Sequence, residues 1–103
     1  MVSEEAIVKY LERFEDIEGR SEKGWQIFSR GEKIFLCMES GKTPVRLDLR
    51  CDRKLSKTLQ DRYESVMESR ALGRNGIEII CSGQLTDEEV FDLVRHAYEE
   101  SAE

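Results

Sequence analysis

The chain has 103 residues, of which 39% are hydrophobic and 37% charged, and its formal net charge is −6. This length predicts one domain, residues 1–103, which buries enough surface to fold without a metal ion or a disulfide framework. No apolar run approaches the length of a membrane span, so we expect no membrane partner. The acidic opening Ser3-Glu4-Glu5 is unlike a signal peptide, so we expect a cytoplasmic protein.

The first predicted element is a helix that Ser3 caps and that Gly19 ends. The acidic residues after Ser3 suit the positive end of the helix dipole. Apolar residues then follow at helical spacing and form one stripe: Ile7, Tyr10, Leu11, Phe14 and Ile17.

Residues 25–51 predict three antiparallel strands, separated by turn signals at Arg30-Gly31 and Ser40-Gly41. Residues 34–38 are continuously apolar, which is typical of a strand covered on both faces. Residues 45–51 alternate apolar side chains with Arg46, Asp48 and Arg50, which predicts one buried face and one face in contact with solvent.

The second half of the chain adds two helices and two strands. Asp52 can cap the second helix, a short edge strand is predicted near residues 66–70, and residues 77–81 form a strand. A capping box from Thr86 to Glu89 begins the last helix. The order is α-β-β-β-α-β-β-α, an α+β domain in which helices pack on a mostly antiparallel sheet.

Few residues offer catalytic or metal chemistry. The spacing of Cys37, Cys51 and Cys81 matches no zinc or redox motif, so we expect buried free thiols. The single histidine, His96, would need carboxylates to hold a metal ion. Asp92, one helical turn away, could pair with it, and we expect a partly exposed structural histidine. Phosphate-binding glycine loops and nucleophile motifs are absent. We therefore expect no catalytic residues, no metal, no cofactor and no enzymatic activity.

The charge is unevenly distributed along the chain. Residues 1–41 carry −3, residues 42–74 carry +4 and residues 75–103 carry −7. The candidate phosphate-binding residues of the basic middle are Lys42, Arg46, Arg50, Arg70 and Arg74. Side chains alternate between the two faces of a strand, so Arg46, Asp48 and Arg50 share one face, where the guanidinium groups could contact phosphates. In the alternative interpretation, Asp48 bridges its two arginine neighbours on an exposed face.

Three segments together resemble one family of small bacterial proteins. The first is Phe28-Ser29-Arg30-Gly31-Glu32-Lys33-Ile34-Phe35. The second is Val45-Arg46-Leu47-Asp48-Leu49-Arg50-Cys51-Asp52, followed by Leu55, Leu59 and Arg62-Tyr63. The third is Gly83-Gln84-Leu85-Thr86-Asp87-Glu88-Glu89, leading to His96-Ala97-Tyr98. In this order and spacing they are similar to the MmcQ/YjbR family, over about residues 25–100.

This resemblance implies a fold like that of the type III secretion chaperones, with the same order of elements. It also implies DNA binding, because family members commonly carry that label. The chain departs from the family pattern in two places: the segment between the first helix and the first strand is short, and residues 73–77 contain no Trp.

Two functions follow as hypotheses. The first is a small non-enzymatic module that binds nucleic acid weakly and with strong salt dependence through the basic middle. The second is a chaperone-like or regulatory protein-interaction module with no nucleic-acid role, in which the sheet face or the acidic last helix docks a protein. The second hypothesis predicts an exposed apolar patch. In either case we expect a monomer.

Overall fold

The computed structural model describes residues 2–102 and contains three helices and six strands. Their order along the chain is α1 (Glu4–Leu11), β1 (Ile17–Glu22), β2 (Trp25–Arg30), β3 (Lys33–Glu39), β4 (Arg46–Arg50), α2 (Arg53–Arg62), β5 (Val66–Ser69), β6 (Gly73–Ile80) and α3 (Asp87–Glu100). The predicted α+β class is confirmed. All eight predicted elements are present, and the structure adds a ninth.

The added element is β1, and it corrects the predicted extent of the first helix. The helix ends at Leu11, and Ile17 begins a strand instead of continuing the apolar stripe. Asp16 has a φ of 62°, a left-handed conformation that Asp tolerates better than most residues. Gly19, predicted as the helix stop, lies inside β1, where the ring of Phe28 occupies the space a Cβ would take.

The six strands form one antiparallel sheet in the order β1-β2-β3-β4-β6-β5. One face carries the main core, which includes Leu36, Leu47 and Ile79. The helices pack on this face, because their buried residues, such as Ile7 of α1 and Val94 of α3, belong to the same cluster. No helix within residues 2–102 covers the opposite face, which we call the helix-free face.

The helix starts are those the sequence predicts. Ser3 accepts a hydrogen bond from the Ala6 N–H, and Asp52 accepts one from the Leu55 N–H. At α3 the capping box is complete: the Glu89 N–H donates to the Thr86 hydroxyl, and the Glu89 carboxylate accepts from the Thr86 N–H. Each cap satisfies N–H groups that the first helical turn leaves without an intrahelical partner.

The helices of the described part, residues 2–102, lack the combination of length and apolar character that crossing a membrane requires.

Candidate nucleic-acid interface

The five basic residues singled out from the sequence do not form one strip. Lys42 lies in the loop between β3 and β4, and Arg46 and Arg50 stand at the two ends of β4. Arg70 lies in the turn between β5 and β6. Arg74 lies in β6, beside α2. The structure brings Arg46 and Arg70 together at Glu78, whereas Arg74 lines a depression beside α2.

Arg46 and Arg70 converge on one carboxylate, Glu78 of β6. Glu78 is fully buried and accepts two hydrogen bonds from Arg70, of 3.1 and 3.2 Å. Its Oε2 also lies 3.5 Å from Nη1 of Arg46. A buried carboxylate needs such partners, since an unpaired buried charge is strongly unfavourable. The two guanidinium groups are therefore engaged within the protein, although both remain partly open to solvent.

Asp48 does not bridge its arginine neighbours. The strand face predicted to contact solvent is buried at this residue, which is 2% exposed. Its Oδ2 accepts a 2.6 Å hydrogen bond from the Ser69 hydroxyl and a longer one from the Ala71 N–H. Burial raises the pKa of Asp48, the hydrogen bond from Ser69 opposes that shift, and nearby Glu78 adds to it. Arg50, the other neighbour, donates instead to the carbonyl of Ile34.

The turn between β5 and β6 causes this burial. Ser69, Arg70 and Ala71 all donate to the two buried carboxylates of the helix-free face, Asp48 and Glu78, and the Leu72 N–H donates to the Ser69 hydroxyl. Leu72 packs close to the backbone of β6 because Gly76 has no side chain. A Cβ at Gly76 would lie 2.9 Å from the Leu72 Cβ. The turn thus lies over Asp48 and Glu78 and removes them from water.

A second basic group lies at the edge of α2. Arg53 and Lys57 are one helical turn apart on α2, and with Arg74 of β6 they line one open depression of about 260 Å³. We call these three residues the α2-edge cluster. All three are exposed, and within residues 2–102 none lies within ion-pair distance of a carboxylate. Asp61 and Glu68 also line the depression, which leaves its lining one positive charge in excess.

Sequence reasoning found only one member of the α2-edge cluster, Arg74. Arg53 and Lys57 resembled ordinary solvent-facing charges on a helix. Their spacing of four residues places them on one helix face and is the only signal in the sequence. That this face adjoins Arg74 depends on how α2 packs beside β6, which the sequence pattern does not specify.

The helix-free face also carries apolar residues. Trp25 is half-buried and lies outside the main cluster. Together with Glu39, Asp48, Arg70 and Ala71 it lines an open depression of about 320 Å³. Ile27 and Met67 belong to the same face by strand alternation and are half-buried too.

The cysteine prediction is confirmed for all three residues, which are free and buried. Burial raises the pKa of Cys37 and Cys81 to about 11 and that of Cys51 to about 12. The thiols therefore stay protonated near neutral pH, and a thiol in that state is a poor nucleophile and a poor metal ligand.

No protein-family model and no curated protein matches this sequence. Two solved structures are similar to it. A Deinococcus radiodurans protein with a DUF419 domain superposes with a TM-score of 0.83 at 14% identity, over 91% of this chain and 74% of that protein. A Pseudomonas syringae protein superposes with a TM-score of 0.78 at 12% identity, over 98% of this chain and all of that one. The chain therefore has the small α+β fold of these two proteins.

Proposed function

We propose that this protein is a small, non-enzymatic nucleic-acid-binding module that contacts the phosphate backbone through the α2-edge cluster. The observation that carries the proposal is that Arg53, Lys57 and Arg74 line one depression without a carboxylate partner among the described residues. Unpaired Lys and Arg side chains bind phosphates without first breaking an internal ion pair.

The proposal assigns phosphate binding to only part of the basic middle, the residues beside α2. Arg46 and Arg70 already bind Glu78, and Arg50 donates to a backbone carbonyl, so each would give up an internal contact to meet a phosphate. Lys42 is exposed but lies beside the start of α1, where it shares a depression with Glu4. The net charge of −6 opposes binding at long range. Affinity is accordingly weak and falls steeply with salt.

A backbone amide NMR titration with a short DNA duplex, at low and then at high salt, tests the location of the site. We expect the amide signals of Arg53, Lys57 and Arg74 to shift at low salt and to return to their free positions at high salt. Absence of any shift at low salt would overturn the proposal.

Salt-dependent binding measured by fluorescence anisotropy tests the individual residues. Three phosphate contacts predict a slope of log K against log salt of about −2.7. Each of Arg53→Gln, Lys57→Gln and Arg74→Gln should reduce the magnitude of that slope by about 1. The matched control is Arg95→Gln, which removes the same charge from α3, where Arg95 pairs with Asp92.

The variant Arg46→Gln distinguishes this site from phosphate binding by Arg46 and Arg50 along β4. We expect it to leave the slope unchanged, because Glu78 holds the Arg46 guanidinium. If Arg46→Gln reduces the magnitude of the slope by about 1 and the α2-edge variants do not, β4 carries the phosphate contacts and the α2-edge proposal fails.

A second candidate function is protein binding at the helix-free face, favoured by the half-buried Trp25, Ile27 and Met67. Trp25 is the only tryptophan of the chain, so its emission reports on this face alone. A protein that covers the face should move the emission to shorter wavelength and stay bound at high salt. DNA bound at the α2-edge cluster should leave the emission unchanged.

We also propose that the chain belongs to the MmcQ/YjbR family. Support comes from the residue patterns of the three segments described above and from the fold shared with a DUF419 domain. The family's DNA-binding label is consistent with the first candidate function.

A further inference from the structure

One group of metal-ligating side chains contains none of the residues of the α2-edge cluster. The ε2 nitrogen of His96 is 3.3 Å from Oδ2 of Asp52 and 3.9 Å from Oε1 of Glu100. One ligand atom from each of the three residues lies within 4.8 Å of the other two. The sequence spacing allowed Asp92 to pair with His96, but Asp92 pairs with Arg95.

The secondary structure sets this geometry. Asp52 caps α2: its Oδ1 accepts the Leu55 N–H at 2.9 Å, which fixes the carboxylate while Oδ2 lies toward α3. Glu100 follows His96 by four residues in α3, so the two side chains share one helix face. The three ligands therefore come from the ends of two helices whose positions the core determines.

The ε2 nitrogen of His96 lies within ion-pair distance of two carboxylates but has no hydrogen bond. This atom is shielded from solvent and is the one buried side-chain polar atom of residues 2–102 without a hydrogen-bond partner. Oδ2 of Asp52 lies 3.3 Å from this nitrogen but makes no hydrogen bond with it. A buried polar atom without a partner is costly, and a cation between the nitrogen and the two carboxylates would remove that cost.

The spacing of the three atoms fits a transition-metal ion. Ligands at about 2.0–2.1 Å in a tetrahedral site lie about 3.3 Å from one another, which is close to the separation of His96 and Asp52. The 3.9 Å separation to Glu100 closes with a small rotation of an exposed side chain. Imidazole with carboxylates is a ligand set suited to zinc and its neighbours, whereas magnesium and calcium select oxygen ligands alone.

We propose that Asp52, His96 and Glu100 bind one divalent transition-metal ion, for which zinc is the best fit. The side chains of both carboxylates are about two-fifths exposed, so the remaining coordination positions face solvent. The site joins the start of α2 to the end of α3, and the proposal does not rest on nucleic-acid binding.

Calorimetry with Zn²⁺ on the full chain, without an affinity tag, tests the proposal together with NMR of the imidazole. His96 is the only histidine, so every imidazole signal belongs to it. We expect saturable 1:1 binding that shifts these signals. His96→Gln should weaken binding by more than about tenfold, since loss of even an outer partner costs a metal site that much.

Two carboxylate variants test the other ligands. Glu100→Gln should weaken Zn²⁺ binding, and its matched control, Glu99→Gln, removes the neighbouring exposed charge of the same helix and should not. Asp52→Asn should also weaken binding, while its amide oxygen can still cap α2 and preserve the fold. Circular dichroism verifies that each variant folds.

Several outcomes would overturn the proposal. These are no saturable binding, equal affinity in His96→Gln, equal effects of Glu99→Gln and Glu100→Gln, and competition by Mg²⁺ at concentrations equal to those of Zn²⁺. A thiolate charge-transfer band with Co²⁺ would place the metal at a cysteine and would also refute it.

Discussion

Asp48 and Glu78 are neighbours on adjacent strands, and both are buried on a sheet face that no helix covers in the described part of the chain. Two acids in such positions repel each other, and each needs hydrogen-bond donors of its own. Ser69 and the Ala71 N–H serve Asp48, and Arg46 and Arg70 serve Glu78. These contacts hold the β5–β6 turn against the sheet.

Asp48→Asn should change how stability depends on pH. The pKa of Asp48 is raised in the folded protein, chiefly by burial, so between the ordinary aspartate pKa and this raised value the folded state binds more protons than the unfolded state. The contribution of Asp48 to the free energy of unfolding is therefore fully present below that window and falls as pH rises through it. The Asn side chain has no such titration.

Urea unfolding of both proteins across this pH range is the measurement. We expect the variant to gain stability relative to the original chain as pH rises through the window. The control, Asp92→Asn, removes an exposed carboxylate. A difference between Asp48→Asn and the original chain that does not vary with pH would contradict the prediction.

Sequence periodicity could not have predicted the burial of Asp48. Alternation assigned this residue correctly to the face opposite Leu47 and Leu49, and on an isolated sheet that face would contact water. A turn more than 20 residues away in the chain covers it. The same limit applies to the α2-edge cluster and to the contact of His96 with Asp52, because both depend on how separate elements pack.

The helices show where local sequence was sufficient. Ser3, Asp52 and Thr86 each cap a helix at the predicted residue, because a cap depends only on a side chain and the N–H groups two or three residues later. β1 was not predictable in this way. Five of its six residues are exposed, so it lacks the alternation that identifies a half-buried strand.

Thr86→Ala should destabilise the protein by about 1 kcal/mol, the usual cost of losing a helix cap. Thr58→Ala is its matched control: Thr58 is exposed within α2, where Ala has the better helix propensity, so this variant should be neutral or slightly stabilising. Chemical unfolding at neutral pH measures both. Equal effects of the two substitutions would show that the capping box contributes nothing.

At the scale of the whole molecule, stability should decrease from the centre of the sheet toward β1. β3, β4 and β6 carry most of the fully buried side chains, whereas β1 pairs only with β2 and is mainly exposed. Local opening requires least free energy where few apolar contacts are lost. Patterns in the sequence predicted eight of the nine elements. The ninth, β1, lacks an alternating apolar pattern, and it is the strand that we expect to open first.

Native-state hydrogen exchange measures this gradient. Amides of Leu47, Leu49 and Ile79 should open with free energies near that of global unfolding, about 5–15 kcal/mol for a domain of ordinary stability. The β1 amides that bond to β2 should open with far smaller free energies. Equal protection of β1 and β4 would mean that the sheet unfolds only as a unit.

The exposed edge of β1 bears the charges Glu18, Arg20 and Glu22 on alternate residues. If two copies of this strand paired antiparallel about a two-fold axis centred on Arg20, Glu18 would face Glu22 and the two arginines would face each other. Like charges directly opposite across a strand pair are unfavourable. This palindrome of charge thus disfavours that centred register in any pairing of β1 with a second copy.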